Sequence, residues 1–202
     1  MTDVTTKSDK TRAQIIDGAI RALCETGVLG TTTRKIAAAS GVRLATLHYH
    51  FESKSALLVA VLEKLIDDAM PALREEARSS ADLDDCIERL LRTAWRSITR
   101  TKDLHIVQYE LTLYALREGA QWLADQQYSA YVQLYRHHLA QVADGLSPAA
   151  SSALARFMVA GIDGLILQEL AKPSAARSKQ GLEALIDAAR NYARQLKTGV
   201  AD

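Results

Sequence analysis

The chain has 202 residues, of which 48% are hydrophobic and 24% are charged, with only three prolines and ten glycines. This composition excludes wholesale disorder and allows a sizeable buried core. The net charge of +1 is unevenly spread, because residues 1–64 carry +3 and residues 65–202 carry −2. A basic N-terminal part on an acidic remainder is typical of a protein that binds a polyanion.

Targeting and metal signals are absent from the sequence. The first nine residues are polar and lack the apolar stretch of a signal peptide. The most apolar segment, Phe157 to Leu167, is too short to span a membrane and contains Asp163. Cys24 and Cys86 have no metal or redox spacing, so we expect reduced packing residues. We therefore expect a cytoplasmic protein without a metal or cofactor.

The N-terminal part predicts four helices. Apolar residues recur with helical spacing, and nothing predicts a strand. Gly27 should end the first helix, and Gly41 should separate two short helices. Thr32 and Ser53 are suited to cap the helices that follow them. The predicted helices cover about residues 11–26, 33–40, 43–49 and 53–78.

The C-terminal part predicts five more helices, at about residues 82–98, 104–117, 120–143, 148–171 and 178–196. Ser147-Pro148 is a strong start signal, because a capping residue precedes proline at the first helical position. The fold class is therefore all-α with about nine helices. We expect the chain to divide into a disordered tail at residues 1–9, an N-terminal head at 10–56 and a helical body at 57–202.

The two short helices around Gly41 have the form of a helix-turn-helix, in which the second helix must protrude to enter a major groove. Ile36 and Leu47 are spaced to pack across the turn, and Ala37 allows close approach. Arg34 and the hydroxyls nearby are suited to phosphate contacts. The alternative is a helical hairpin that binds nothing.

Four segments carry a resemblance to a known family: Thr-Thr-Thr-Arg-Lys-Ile-Ala (31–37), Ser-Gly-Val (40–42), Thr-Leu-His-Tyr-His-Phe (46–51) and Ser-Lys-Ser-Ala-Leu-Leu (53–58). They resemble the DNA-binding domain of the tetracycline-repressor (TetR) family. The resemblance implies contacts with the DNA backbone at Arg34, Tyr49, His50 and Lys54, and base reading at Leu44 and Ala45. We add Arg43 to the positions that the resemblance implies. The expected DNA-facing residues are then Thr33, Arg34, Arg43, Leu44, Ala45, Thr46, His48, Tyr49, His50 and Lys54.

Three positions depart from the family pattern. His48 stands where the family usually has tyrosine, so one contact is altered or pH-sensitive. Arg43 replaces the usual small capping residue, so the third helix should start less firmly and Arg43 should reach phosphate. Leu44 and Ala45 carry no polar atoms, so base reading there would depend on thymine methyl groups, which discriminate little.

The helix at residues 148–171 is apolar nearly all round, so we expect it to be covered on two sides. One cover is its own domain, and the other is a second subunit. The stretch Ile162–Leu165 resembles a recurrent feature of this helix in the family, in which the last two helices pair with their mates into a four-helix interface. A buried central helix of a monomer is the alternative. The expected interface residues are Phe157, Gly161, Gly164, Leu165, Leu185 and Ala189.

Aromatic rings with a few polar groups in the body predict a small-molecule pocket. Plain core packing is the alternative for each of them. Glu110 lies in an apolar segment and needs a partner, which could be Arg117, Arg96, or a cationic or hydroxylated ligand. The candidate pocket residues are Trp95, His105, Tyr109, Glu110, Tyr114, Tyr128, Tyr131 and Phe157.

These observations predict a homodimeric repressor that binds a palindromic operator and is released by a small-molecule effector. A ligand near Trp95 and Tyr109 would displace the fourth helix and change the spacing of the two heads. No nucleophile motif, phosphate loop or metal-spaced cluster supports an enzyme. An interaction scaffold is the third possibility, but it leaves the basic, hydroxyl-rich turn unexplained.

Overall fold

The structure, a computed structural model, describes residues 6–78, 80–142 and 145–199. Within these ranges it contains nine α-helices and no strand, which confirms the predicted fold class. The helices are α1 (Lys7–Gly30), α2 (Thr33–Ser40), α3 (Leu44–His50), α4 (Lys54–Arg78), α5 (Leu83–Arg100), α6 (Lys102–Arg117), α7 (Gln121–Val142), α8 (Pro148–Ala171) and α9 (Ala175–Thr198).

The chain divides into two compact units. Unit 1 spans the residues up to Asp67 together with Asp103–Ala124, so it holds α1–α3, the first half of α4 and nearly all of α6. Unit 2 comprises Asp68–Lys102 and the residues from Asp125 onward. These units are not divided at residues 56 and 57, where we predict the functional boundary between head and body. By this division, nearly all of α6 lies in the same compact unit as the N-terminal helices.

Side chains cap four helices, and three of the caps, at Thr32, Ser53 and Ser147, are those that the sequence predicts. Each capping oxygen accepts a main-chain N–H three residues further on, which satisfies a donor that the helix itself leaves unpaired. The pairs are Thr32 with Lys35 (3.3 Å), Ser53 with Ala56 (3.0 Å), Asp82 with Asp85 (2.8 Å) and Ser147 with Ala150 (3.1 Å).

Three helices begin earlier than predicted. Thr6 and Asp9 form a capping box, with the Asp9 N–H donating to Thr6 Oγ1 at 3.2 Å, so α1 starts at Lys7. Residues 7–9 are thus helical, which corrects the predicted disordered tail; residues 1–5 lie outside the described residues. The helix α6 starts at Lys102, and Ser174 caps α9 at Ala175.

The helices α8 and α9 pack together in unit 2 through reciprocal glycine–leucine contacts. A methyl group placed on Gly161 would overlap Leu185, and one placed on Gly181 would lie 2.8 Å from Leu165 Cδ2. Because 161 meets 185 while 165 meets 181, the two helices run antiparallel. The absence of a side chain at both glycines lets the helices approach closely.

The predicted apolar stretch 157–167 is part of the longer helix α8. Among the described residues, α8 is the one helix that is long and apolar enough to cross a membrane by length and composition. Its residues Leu154, Ala155 and Met158 are fully buried within the chain. A core helix of a protein has the same composition, and the burial of these residues shows that one face of α8 is covered within the chain.

Candidate nucleic-acid interface and ligand site

The helix α1 holds α2 in place through a close backbone contact. A Cβ atom at Gly18 would overlap Ser40, so the two helices touch without an intervening side chain. The amide of Gln14 donates to the Ser40 carbonyl at 2.6 Å, and Arg21 donates to the Ala39 carbonyl at 2.7 Å. These bonds satisfy carbonyls that the end of α2 leaves unpaired, so side chains of α1 hold the turn after α2 in place.

The turn after α2 has the geometry that the sequence predicts. Gly41 adopts a φ of +66°, a conformation that favours glycine. The N–H of Val42 donates to the Ala37 carbonyl at 3.1 Å, which closes the end of α2. Ile36 and Leu47 are both buried, so α3 is anchored by its inward side chain.

All ten residues that the sequence assigns to DNA contacts keep some exposed surface. None of them is buried, and all lie in unit 1. Arg43 precedes α3 and makes no side-chain capping bond, as its departure from the family pattern predicts. Five are exposed (Arg34, Arg43, Ala45, His48, Tyr49), with Tyr49 82% exposed, and five are half-exposed (Thr33, Leu44, Thr46, His50, Lys54).

The peptide groups of Val28 are held by two charged side chains of unit 1. The chain leaves the helical conformation at Gly27 (φ +64°, ψ 175°), which frees the next N–H from the helical pattern. That N–H of Val28 donates to Glu110 Oε2 at 2.8 Å. Lys54 Nζ donates to the Val28 carbonyl at 2.8 Å. The main chain of Val28, directly after Gly27, is thus hydrogen-bonded to one side chain of α4 and one of α6.

This arrangement gives Glu110 a partner that the sequence did not predict. The sequence suggests an arginine or a ligand, whereas the structure shows the Val28 N–H. It also gives Lys54, a predicted phosphate contact, a bond within the chain. The missed signal is the glycine itself, because a helix interrupted by a positive φ exposes a donor that needs an acceptor.

The candidate pocket residues are divided between the two units. His105, Tyr109, Glu110 and Tyr114 belong to unit 1, and Trp95, Tyr128, Tyr131 and Phe157 belong to unit 2. Within unit 1, Tyr114 shares a hydrogen bond of 2.9 Å with Ser55 and lines a cavity of about 140 Å³ between α4 and α6. Glu110 is engaged with α1, so it does not remain a candidate ligand contact.

Within unit 2, Tyr128 belongs to a cluster that the sequence only partly predicted. Its hydroxyl donates to the Asp163 carboxylate. Burial and the negative charge of Asp163 raise the pKa of Tyr128 to about 12. Burial, followed by Tyr131 and Asp163, raises the pKa of Tyr135 as well. Sequence reasoning missed Asp163 as a site residue, although it is the only charged residue between Phe157 and Gln168.

The exposure of residues on α8 and α9 indicates which of them could take part in the predicted dimer interface. The Phe157 ring is 37% exposed and packs on Tyr192, with ring centroids 5.4 Å apart. Its exposure suits an interface residue better than a pocket residue. Ala189 has no exposed surface, so it does not belong to the proposed interface. A methyl group placed on Gly164 would meet no other atom within 4 Å, so this glycine leaves an open spot on α8.

The two cysteines differ in their surroundings. Cys86 is fully buried, as expected of a packing residue, and burial raises its pKa to about 11. Cys24 is exposed, so the prediction that it packs in the core is wrong. It lies on the outward side of α1, a position that the apolar stripe of that helix did not reveal.

Two family profiles match the chain. The profile described as "Bacterial regulatory proteins, tetR family" matches residues 15–61, which include the helix-turn-helix. The profile described as "Tetracyclin repressor-like, C-terminal domain" matches residues 78–191, which is more than half of the chain. The matched segments thus include both the N-terminal and the C-terminal helices.

Individual proteins agree with the profiles. The chain is 27% identical over 179 residues to the nicotine-responsive transcriptional repressor of Paenarthrobacter nicotinovorans, covering 88% of this chain and 92% of the relative. It is similar to a multidrug-binding protein solved with ethidium (26% identity, TM-score 0.66, covering 87% and 96%). A TetR-family regulator from Rhodococcus sp. shares the fold (23% identity, TM-score 0.71, covering 89% and 96%). The chain therefore belongs to the TetR family of ligand-responsive bacterial transcriptional regulators.

Proposed function

We propose that this chain is a homodimeric repressor that binds a palindromic operator through α3 and leaves it when a small-molecule effector binds. The observation that carries the proposal is the exposed face of α3, with Tyr49 82% exposed, held on a buried anchor at Leu47. A short helix fixed in this way is suited to enter a major groove. No step of this function requires catalysis, and a partner such as operator DNA implies a cytoplasmic protein.

The proposed contacts divide into positioning and reading. Arg34, Arg43 and Lys54, with the hydroxyls of Thr33 and Thr46, would contact phosphates and fix the orientation of the head. Tyr49 and His50 would add backbone contacts. Leu44 and Ala45 would meet thymine methyl groups, and His48 supplies the ring nitrogens nearest to them in sequence.

The proposed dimer uses the outer side of α8 and α9. Phe157 and Gly164 are open on that side of α8. Gly161, Leu165 and Leu185 take part in the contact between α8 and α9 within the chain, but all three are only half-buried, so a second copy would cover their remaining surface. An apolar helix that keeps an exposed phenylalanine is suited to pair with a second copy, because a two-fold interface brings the same patch from both subunits together. The nicotine-responsive relative and the neighbour solved with ethidium support a small organic molecule as effector, and we place its site in the C-terminal helices.

Selection from random duplexes tests the proposal directly. Full-length protein should enrich a palindrome with half-sites about one helical turn apart, and a sizing column should show a dimer. An Arg34→Ala, Arg43→Ala double variant should fold but enrich nothing at the same salt. An asymmetric selected site, or a monomer at micromolar concentration, would contradict the proposal.

A further inference from the structure

Unit 2 contains a carboxylate set in an otherwise apolar helix. Asp163 lies in the middle of α8, among neighbours such as Val159, Ile162 and Ile166 that are buried. Its own side chain is half-buried. A carboxylate that gives up part of its hydration loses free energy unless its surroundings stabilise the charge. The groups around Asp163 therefore indicate what the position is suited to bind.

Those groups include three tyrosines of α7. Tyr128, Tyr131 and Tyr135 are spaced by three and four residues, which places them on one face of the helix. The hydroxyl of Tyr128 donates to Asp163, and a hydrogen bond to a carboxylate favours its ionised form. Tyr131 acts on both of the other tyrosines. A carboxylate thus stands beside the tyrosines of α7.

The members of the cluster differ in their exposure. Tyr135 is only 2% exposed, so its ring belongs to the core. Tyr128, Tyr131 and Asp163 are each half-buried, so a ligand can reach them without unfolding the unit. The partly exposed members are thus the carboxylate and two of the three tyrosines.

We propose that Asp163, Tyr128 and Tyr131 form the binding site for an organic ammonium cation, which is the effector of the repressor proposed above. The carboxylate supplies the opposite charge, and the tyrosine rings supply the negative faces that attract a weakly hydrated cation. The inference names the chemical class of the effector and therefore rests on the proposed function.

Other ligand classes fit these groups less well. The charge of Asp163 repels an anion such as a fatty-acid carboxylate. A neutral apolar molecule would remove water from the carboxylate and give nothing in return. Ca²⁺ or Mg²⁺ requires about six oxygen ligands, and phenol rings do not supply them. A lipophilic ammonium ion uses both the charge and the rings.

Two compounds of the same shape test the inference. Benzyltrimethylammonium and neopentylbenzene differ by one nitrogen in place of one carbon, and hence by one positive charge. In NMR titrations of the full-length dimer, the cation should bind at least about tenfold more tightly than its neutral isostere. Equal binding of the two compounds, or no binding of the cation at millimolar concentration, would overturn the inference.

Variants locate the effect. Asp163→Asn keeps the shape and should abolish the preference for the cation, while Tyr131→Leu should weaken the cation severalfold and keep the preference. Asp125→Asn, which removes an exposed acid from α7, is the matched control and should change neither. Both site variants should still bind operator. A preference retained in Asp163→Asn overturns the inference, whereas failure of the wild type to bind any duplex would contradict the proposed function alone.

Discussion

The helix-turn-helix in unit 1 and the α5–α9 pair in unit 2 are stabilised over different distances along the chain. In the first, side chains satisfy carbonyls nearby in sequence, as Gln14 does for Ser40. In the second, Arg190 bonds to Glu88, and Arg92 bonds to Glu183, across about half of the chain. Local signals therefore specify the head, whereas unit 2 depends on pairs that no local pattern reveals.

The largest effect should come from the contact between α1 and α2. Gly18→Val would push a side chain into the backbone of Ser40, which has no room to move, so we expect a loss of about 3 kcal/mol or more in the stability of the head. Operator binding should disappear. Thermal unfolding followed by circular dichroism, together with a gel-shift titration, measures both.

The neighbouring Asp17→Val is the matched control, because Asp17 is exposed and the same residue type enters the same helix. It should change stability by less than about 1 kcal/mol. Equal losses in the two variants would mean that helix propensity, rather than the close contact, governs this helix. The comparison of local and distant stabilisation would then lose its strongest example.

The next largest effect should appear at the outer side of α8. Phe157 packs on Tyr192 and remains 37% exposed, and Phe157→Asp replaces its ring with a charged carboxylate. We expect dimer dissociation to become about thirtyfold easier, because apolar aromatic residues dominate interfaces of this kind. Sedimentation equilibrium measures it. Arg156→Asp, one residue away and exposed, should leave the dimer intact; equal dissociation would move the interface elsewhere.

The sequence could predict features that depend on nearby residues, but not contacts between residues far apart in the chain. Thr32, Gly41 and Leu47 take the positions expected of them, because caps, positive φ and helical spacing are local properties. The link from Glu110 to Val28 could not be predicted, since it joins residues 82 apart. For the same reason, the sequence showed Tyr128 as an aromatic residue but did not show that Asp163 meets it.

Glu110→Ala tests that long-range link. The substitution leaves the Val28 N–H, freed by Gly27, without its acceptor, so we expect a loss of about 1–3 kcal/mol in stability. Glu110→Gln keeps an acceptor and should lose less. Urea unfolding measures these differences. Arg117→Ala tests the arginine partner that the sequence suggests, and a loss as large as that of Glu110→Ala would restore that alternative.

A smaller effect distinguishes two basic residues of the head. Arg34→Ala should weaken binding to all sequences alike and lower the slope of log affinity against log salt by about one. Lys54→Ala should do the same and also destabilise the free protein slightly, because it loses the bond to the Val28 carbonyl. Fluorescence anisotropy titrations at several salt concentrations measure the slope for each variant. An unchanged slope for Lys54→Ala would assign Lys54 to structure alone.

The smallest effect concerns a histidine in unit 2, where long-range packing has left a polar group unpaired. His138 is 3% exposed, and neither ring nitrogen has a hydrogen-bond partner among the described residues. Burial lowers the pKa of His138 below its usual 6.5, and His137, Arg78 and Arg74 lower it further, while Gln141 opposes them. The unfolded chain therefore takes up a proton at higher pH than the folded chain does.

Stability should consequently be complete above about pH 6.5 and should fall as the pH decreases below that value. His138→Leu removes the titrating group, so its melting temperature should decline less than that of the wild type between pH 7 and pH 5. His137→Gln, on the exposed side of the same helix, should follow the wild type. If His138→Leu instead shows the full decline, the carboxylates of α5 and α9 govern the acid response, since Glu88 and Glu183 also lose their arginine partners on protonation.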